Sequence, residues 1–106
     1  MNVEGLLNYH RQLCNQAQLL MSRKNHDYAG AEGSDPFRNF AAPQKLGIAS
    51  TEAGLLIRMT DKLNRLITFV QDGKLVVDNE GVEDALLDLI NYSVILGAYL
   101  QQNKED

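Results

Sequence analysis

Apolar residues in the first part of the chain recur at steps of three and four positions, which is the spacing of one helix face. The members of this stripe are Val3, Leu6, Leu7, His10, Leu13, Cys14, Ala17, Leu20 and Met21. Lys24 continues the spacing, so the pattern predicts a first helix that ends near this residue. From Asp27 to about Gln44, glycines and prolines recur too often for a long regular element, and we expect a long loop there.

A second apolar stripe predicts a helix that begins at about Gly47 or Ser50 and ends at Gln71. Its apolar arc consists of Leu55, Leu56, Met59, Leu63, Leu66, Ile67 and Val70. On the opposite side, charged residues follow the spacing i, i+3, i+4 and i+7, and these are Arg58, Asp61, Lys62 and Arg65. Three cations around one acid would suit a phosphate-binding wall. The alternative is a solvated helix face, on which each i,i+4 pair contributes only about 0.3–0.5 kcal/mol.

The third predicted helix begins after the acidic stretch 78–80 and ends at about Gln102. Apolar residues surround nearly its whole circumference, as in a helix that neighbours cover on most sides. Because three helices can rarely cover such a helix, we expect a homo-oligomer, at least a dimer, with the third helices near the shared core. The predicted fold is all-α, with one domain over residues 1–106. It consists of three helices and one long loop, in a helical bundle completed by oligomerisation.

Composition and charge limit the partners. The chain of 106 residues has a net charge of −4 and a pI near 5.0, which argues against binding to duplex nucleic acid. The single cysteine, Cys14, excludes an internal disulfide, and no signal peptide is expected, so the predicted compartment is the cytoplasm. The longest apolar stretch, 85–100, contains Asp88 and Asn91 and is too short and too polar to cross a membrane.

Acidic residues point to a possible metal site. Glu52 falls in the middle of the apolar arc of the second helix, where an unpaired carboxylate is costly. On the third helix, Asp84 and Asp88 share one polar line with Asn91, flanked by Tyr92. Carboxylate oxygens are the ligands that Mg²⁺ prefers, so Glu52, Asp84 and Asp88 are the candidate metal ligands and Mg²⁺ the candidate cofactor. In the alternative interpretation, the two aspartates pair with cations of the second helix in a buried network.

The predicted loop carries the consecutive residues Phe37, Arg38, Asn39 and Phe40, which mix aromatic and cationic side chains. Such a segment would suit a lid over a planar ligand, and long loops in compact domains are often functional. The alternative is that both phenylalanines attach the loop to the core.

Three segments together resemble one protein family. They are KNHDYAG at 24–30, GLLIRMTDKLNRL at 54–66 and EDALLDLINYSVI at 83–95, and the resemblance extends from about Met21 to Tyr99. The family is the phage and bacterial nucleotide modification associated domain of the first type, and its helices are similar to those of the nucleoside triphosphate pyrophosphatases of MazG type. The resemblance implies a nucleotide ligand at the positions that match the family's patterns. These positions are Lys24, Asp27, Tyr28, Arg58, Asp61, Lys62, Arg65, Asp84, Asp88 and Tyr92.

We therefore predict one ligand site to which all three helices and the loop contribute. Its residues are Lys24, Asp27, Tyr28, Arg38, Arg58, Asp61, Lys62, Arg65, Asn91 and Tyr92. The MazG-type pyrophosphatases resemble E-E-x-x-E on one helix followed by E-x-x-D on the next, whereas this chain has Glu52 alone where the first cluster would lie. Two-metal hydrolysis needs several convergent carboxylates, so this departure weakens the case for it.

Three functions are compatible with these patterns, in the following order. In the first, a phage-type protein binds a phosphorylated nucleotide, linear or cyclic, between cationic and acidic helix faces. It would sequester a nucleotide signal of host defence in the host cytoplasm, or serve nucleotide metabolism. In the second, the three candidate ligands hold Mg²⁺ for a MazG-type pyrophosphatase reaction, with Asp61 or Asp27 positioning water. In the third, the charged lines only set helix register in an oligomer without a ligand.

Overall fold

The computed structural model describes residues 1–29, 35–73 and 80–105, except for the side chains of 25–29, 80 and 105. These residues form four helices, namely α1 (Val3–Ala29), α2 (Ala42–Lys45), α3 (Thr51–Asp72) and α4 (Glu80–Glu105). The all-α prediction is confirmed, since no strand occurs in these ranges. None of the described helices combines the length and the hydropathy needed to cross a lipid bilayer.

Two features differ from the predicted three helices and one long loop. The helix α1 continues to Ala29, beyond its predicted end near Lys24, because residues 25–29 include no proline or glycine that would stop it. The helix α2 is a single turn inside the predicted loop. Its Pro43 lies at the start of the helix, where a missing N–H group costs no hydrogen bond. The helices α3 and α4 correspond to the predicted second and third helices.

Local contacts define both ends of α3 and attach α2 to it. The Oε1 atom of Gln44 accepts hydrogen bonds from the backbone N–H and the hydroxyl of Thr51, at 3.1 and 3.0 Å. The Ser50 hydroxyl caps the helix by accepting from the N–H of Ala53 at 3.1 Å. At the other end, Gly73 has a φ of 76°, a left-handed conformation that glycine adopts without strain.

Replacing Gln44 with leucine is expected to lower the free energy of unfolding by about 1–2 kcal/mol, because the buried Thr51 loses the acceptor of two hydrogen bonds. The neighbouring exposed residue offers a control, and Lys45→Ala should change stability by less than about 0.5 kcal/mol. Urea unfolding followed by circular dichroism measures both variants. Equal stability of the two variants would contradict this role of Gln44.

The helix α4 lies between the other long helices and packs against both α1 and α3. The buried residues of the described ranges come from these three helices, and they are Ala17, Thr51, Gly54, Leu55, Ala85, Leu87, Asp88 and Asn91. Within this set, Leu55 is the largest side chain that is fully buried. The buried centre between the helices is therefore small, and it contains the polar side chains of Thr51, Asp88 and Asn91.

A stripe of large apolar side chains on α3 remains exposed. It consists of Leu56, Leu63, Ile67 and Val70, with exposed fractions between 45% and 80%. The sequence pattern assigns these residues to the same apolar arc as Leu55, yet the described helices do not cover them. An exposed apolar stripe along one helix is typical of a subunit interface. Homo-oligomerisation stays a prediction, because a single chain does not test it.

We expect light scattering at micromolar concentration to find a dimer or a larger assembly rather than a monomer of 11.8 kDa. Leu63→Glu introduces a charge into the middle of the exposed stripe and is expected to shift the assembly toward the monomer, since burying an unpaired carboxylate is costly. Asn64→Glu adds the same charge at the adjacent exposed position and should leave the assembly intact. A wild-type monomer contradicts the prediction.

Candidate functional site

A cavity of about 270 Å³ opens between the C-terminal part of α1, the segment 35–40, α3 and α4. Cations, aromatic rings and a buried amide line it together. The lining residues that matter most are Lys24, Arg38, Phe40, Arg58, Asn91 and Tyr92. Five of them, all except Phe40, belong to the predicted ligand set. The structure thus brings residues from three helices and the predicted loop to one cavity, while their contact with a ligand stays a prediction.

Asp88 of α4 joins α1 and α3 at this cavity. Its Oδ1 atom lies 3.1 Å from Nζ of Lys24, and its Oδ2 atom lies 3.2 Å from Nζ of Lys62. Asp88 is only 7% exposed, and a buried carboxylate needs nearby positive charge to offset its desolvation. The predicted convergence of charged residues from separate helices is therefore present for one acid, Asp88, and two cations. For Asp88, the interpretation as a buried network with cations of α3 also holds.

The cavity is locally cationic although the chain is acidic. Its charged lining residues are Lys24, Arg38, Arg58, Asp35 and Asp88. Three cations and two acids give a balance of +1 in a chain whose net charge is −4. Lys62 contributes a further positive charge to Asp88. Local positive potential of this kind favours an anionic ligand even in an acidic protein.

Aromatic contacts attach the segment 35–40 to α4 and α3. The rings of Phe37 and Tyr99 meet edge to face with centroids 5.4 Å apart, and those of Phe40 and Tyr92 do so at 6.2 Å. The guanidinium carbon of Arg58 lies 4.8 Å from the centroid of Phe40, a cation–π contact. Both phenylalanines therefore attach this segment to the helices, as one interpretation of the loop predicted. Phe40 also lines the cavity, while a role of this segment as a lid over a ligand stays a prediction.

Asn91 is a buried amide at the α1–α4 contact. It is 6% exposed, and its Nδ2 atom donates a hydrogen bond to the backbone oxygen of Ala17 at 2.9 Å. This bond orients the side chain, because only the amino group can face a carbonyl oxygen favourably. Asn91 also lines the cavity, together with the cations Lys24, Arg38 and Arg58.

Three charged residues of the predicted site do not line the cavity, namely Asp61, Lys62 and Arg65. Of these, Lys62 is connected to the cavity through its ion pair with Asp88. Asp61 is exposed, with its Oδ2 atom 3.7 Å from Nε of Arg65 and 4.0 Å from Nζ of Lys62, and neither Asp61 nor Arg65 lines this cavity. Arg65 is seven residues from Arg58, which corresponds to about 10 Å along a helix axis. The charged line of α3 is thus longer than the cavity, and only its first part reaches it.

The three predicted metal ligands do not come together. Glu52 lies in the first turn of α3, where an acid complements the helix dipole, and it lines a second, more open cavity with Gln44 and Tyr99. Asp84 is exposed, and both oxygens of Asp88 face lysines. In the part of the chain that the structure describes, no three His, Cys, Asp or Glu side chains are positioned to hold a metal ion. This donor set does not fit one Mg²⁺ site, and a role for Mg²⁺ stays untested.

The side chains of Asp27 and Tyr28 lie outside the described residues, although the backbone of both belongs to α1. Their predicted contact with a ligand is therefore open.

Several lining residues were not predicted from the sequence. Gln18 and Ser22 of α1 line the cavity beside Met21, at the helical spacing i, i+3, i+4. The polar residues Gln18 and Ser22 lie one turn apart beside the apolar stripe of α1, and this spacing could have indicated a polar face at the cavity. Asp35 also lines the cavity, and its Oδ1 atom accepts a hydrogen bond from the N–H of Phe37 at 2.9 Å. An Asp-Pro pair often begins such a turn.

The fold and the cavity define a small all-α protein with a cavity lined by aromatic and cationic side chains. The chain belongs to the family Nucleotide modification associated domain 1, whose family model matches residues 24–98. The match begins at Lys24, contains all of α3 and extends through most of α4, and it confirms the resemblance seen in the three sequence segments. No curated protein and no solved structure shows a significant match to the chain.

Proposed function

We propose that the cavity binds a phosphorylated nucleotide. The observation that carries this proposal is the presence of cations and aromatic rings in the lining of one small cavity. A base would pack against Phe40 and Tyr92, whose rings offer apolar surface. The phosphate oxygens would face Arg38, Arg58 and Lys24, because guanidinium and ammonium groups form charge-assisted hydrogen bonds with phosphate. Membership of a family associated with nucleotide modification agrees with this ligand.

The size of the cavity favours one nucleotide unit over a cyclic dinucleotide. Its volume of about 270 Å³ lies just below the range of about 300–1,000 Å³ that is common for ligand pockets. A mononucleotide would place its base and its phosphate at the two kinds of lining at once.

Binding without hydrolysis is the form of the proposal that the charges support best. Both oxygens of Asp88 are directed at lysines, and the other acids predicted to hold Mg²⁺ lie apart from it. A pyrophosphatase of MazG type would need more carboxylates at the cavity than these. In the cytoplasm, such a binder would hold a free nucleotide and lower its concentration. In a phage-encoded copy, the held nucleotide would be a signal of host defence.

Incubation with a panel of nucleoside mono-, di- and triphosphates and cyclic nucleotides, with and without Mg²⁺, tests the proposal. We expect a thermal shift with at least one nucleotide and recovery of that nucleotide intact after the protein is denatured. Release of pyrophosphate or of a nucleoside monophosphate would instead identify a hydrolase. The absence of a thermal shift with every ligand would favour a structural module without a ligand.

Arg58→Ala is expected to weaken nucleotide binding by about 10- to 100-fold, because the phosphate loses a charge-assisted hydrogen bond. Arg65→Ala removes the same side chain two turns later on α3, outside the cavity, and should change affinity less than about twofold. Arg38→Ala tests the same idea at an exposed residue whose loss should not disturb the helix packing. Isothermal titration calorimetry measures all three, and equal effects of Arg58→Ala and Arg65→Ala would contradict the assignment.

A further inference from the structure

We infer that the cavity selects nucleotides whose base carries an exocyclic amino group, with Oδ1 of Asn91 as the acceptor that recognises it. The inference rests on the proposed nucleotide-binding function and adds the class of base to it. Asn91 is a specificity-determining residue in this assignment rather than a catalytic one. Bases with such an amino group are adenine, cytosine and guanine, whereas uracil, thymine and hypoxanthine lack it.

The orientation of the Asn91 amide carries the argument. Its Nδ2 atom donates to the backbone oxygen of Ala17 at 2.9 Å, and this contact determines which end of the amide is the oxygen. Within the described ranges, no protein group donates a hydrogen bond to Oδ1, and no buried side-chain oxygen or nitrogen atom lacks a partner. The Oδ1 atom therefore retains access to solvent, and the cavity that Asn91 lines is the space through which a ligand would reach it.

The surroundings of Asn91 make this acceptor selective. The residue is 94% buried, since its exposed fraction is 6%, so few water molecules can satisfy Oδ1 once a base fills the cavity. Tyr92 follows it on α4 and also lines the cavity, so a base packed near this ring would lie beside Asn91. A base that presents a carbonyl oxygen to Oδ1 would place two acceptors together. A base that presents an amino group would complete the hydrogen bond.

The test compares nucleotides that differ only in the amino group. The pairs are AMP with purine riboside 5′-monophosphate, GMP with IMP, and CMP with its 4-deamino analogue. Calorimetry on the wild-type chain first identifies the pair that binds most tightly. Within that pair, the nucleotide with the amino group should bind roughly 10- to 100-fold more tightly than its deamino partner. Equal affinity within that pair, or tightest binding of UMP or dTMP, would overturn the inference but leave the proposed function standing. Failure of every nucleotide to bind would overturn the proposed function itself.

A protein variant separates base recognition from a structural role. In Asn91→Leu, the amide is removed at similar volume, and the tightest-binding nucleotide and its deamino analogue are expected to bind with equal affinity. A residue that only supported the α1–α4 contact would weaken both members of the pair and keep their ratio. A retained ratio in the variant therefore contradicts the assignment. If Asn91→Leu does not fold, the wild-type comparison still decides the question.

Discussion

Replacing Asp88 with alanine is expected to lower the free energy of unfolding by about 2–3 kcal/mol. The carboxylate lies between the ammonium groups of Lys24 and Lys62, at 3.1 and 3.2 Å, and its loss removes a buried counter-charge that these two cations share. Breaking a fully buried ion pair on one side costs about 3–5 kcal/mol. The expected value is smaller here because the side chains of Lys24 and Lys62 are 42% and 20% exposed. Urea unfolding monitored by circular dichroism measures the loss.

The chain offers a matched control one helical turn earlier on α4. Asp84 is exposed, so Asp84→Ala removes the same charge from the same helix without disturbing the buried network, and it should cost less than about 0.5 kcal/mol. Salt provides a second check, because screening in 0.5 M sodium chloride should reduce the repulsion between the lysines and with it the loss in Asp88→Ala. If Asp84→Ala and Asp88→Ala destabilise the chain equally, the buried pair does not hold the three helices together.

The buried polar contacts of Asp88 and Asn91 explain how a chain with a small apolar core can hold its helices around a cavity. Asp88 ties α4 to both α1 and α3, and Asn91 ties α4 to α1 through the backbone of Ala17. Buried polar groups of this kind add little net stability compared with apolar side chains of the same size. They do require one relative position of the helices, because each group is satisfied only there. The same residues line the cavity, so the contacts that position the helices also define the site.

The sequence predicted the three long helices, but it predicted neither the continuation of α1 to Ala29 nor the single turn of α2. Asp88 interrupts an apolar helix two turns from its start, where neither helix propensity nor burial favours an aspartate, so the sequence predicted either a metal ligand or an acid paired with cations. The structure has the second arrangement, because both oxygens of Asp88 face lysines. The line of cations on the second predicted helix offered Arg58, Lys62 and Arg65 as partners, and the structure pairs Asp88 with Lys62. Local conflicts with burial are strong signals because a buried charge without a partner is costly.

Other features depend on tertiary contacts that periodicity does not encode. The spacing of α3 assigns Arg65 and Arg58 to one line, but only the distance along the helix decides which of them reaches the cavity. The spacing of α3 assigns Glu52 to the inward arc, whereas the structure has it in the first turn of the helix, where a carboxylate is stabilised by the helix dipole. The contact of Asn91 with Ala17 joins residues 74 positions apart, and no local pattern indicates it.

The largest effect of a single apolar truncation is expected at Leu55, although the sequence pattern gives its neighbour Leu56 the same role. Leu55 is fully buried, whereas Leu56 is 53% exposed in the single chain. Leu55→Ala should lower the free energy of unfolding by about 3–4 kcal/mol, since it removes buried methyl groups and leaves a cavity in the core.

Leu56→Ala serves as the matched control, and at low protein concentration it should cost less than about 1 kcal/mol, because half of the removed surface already faces solvent. At high concentration, the loss in Leu56→Ala should grow if the exposed stripe of α3 packs against a second copy, because a mutation at a subunit interface then also weakens assembly. Urea unfolding at two protein concentrations separates these contributions. Equal losses at Leu55 and Leu56 at low concentration would show that α3 presents a different face to α4 than the structure has, and the cavity lined by Arg58 would then have to be reassigned.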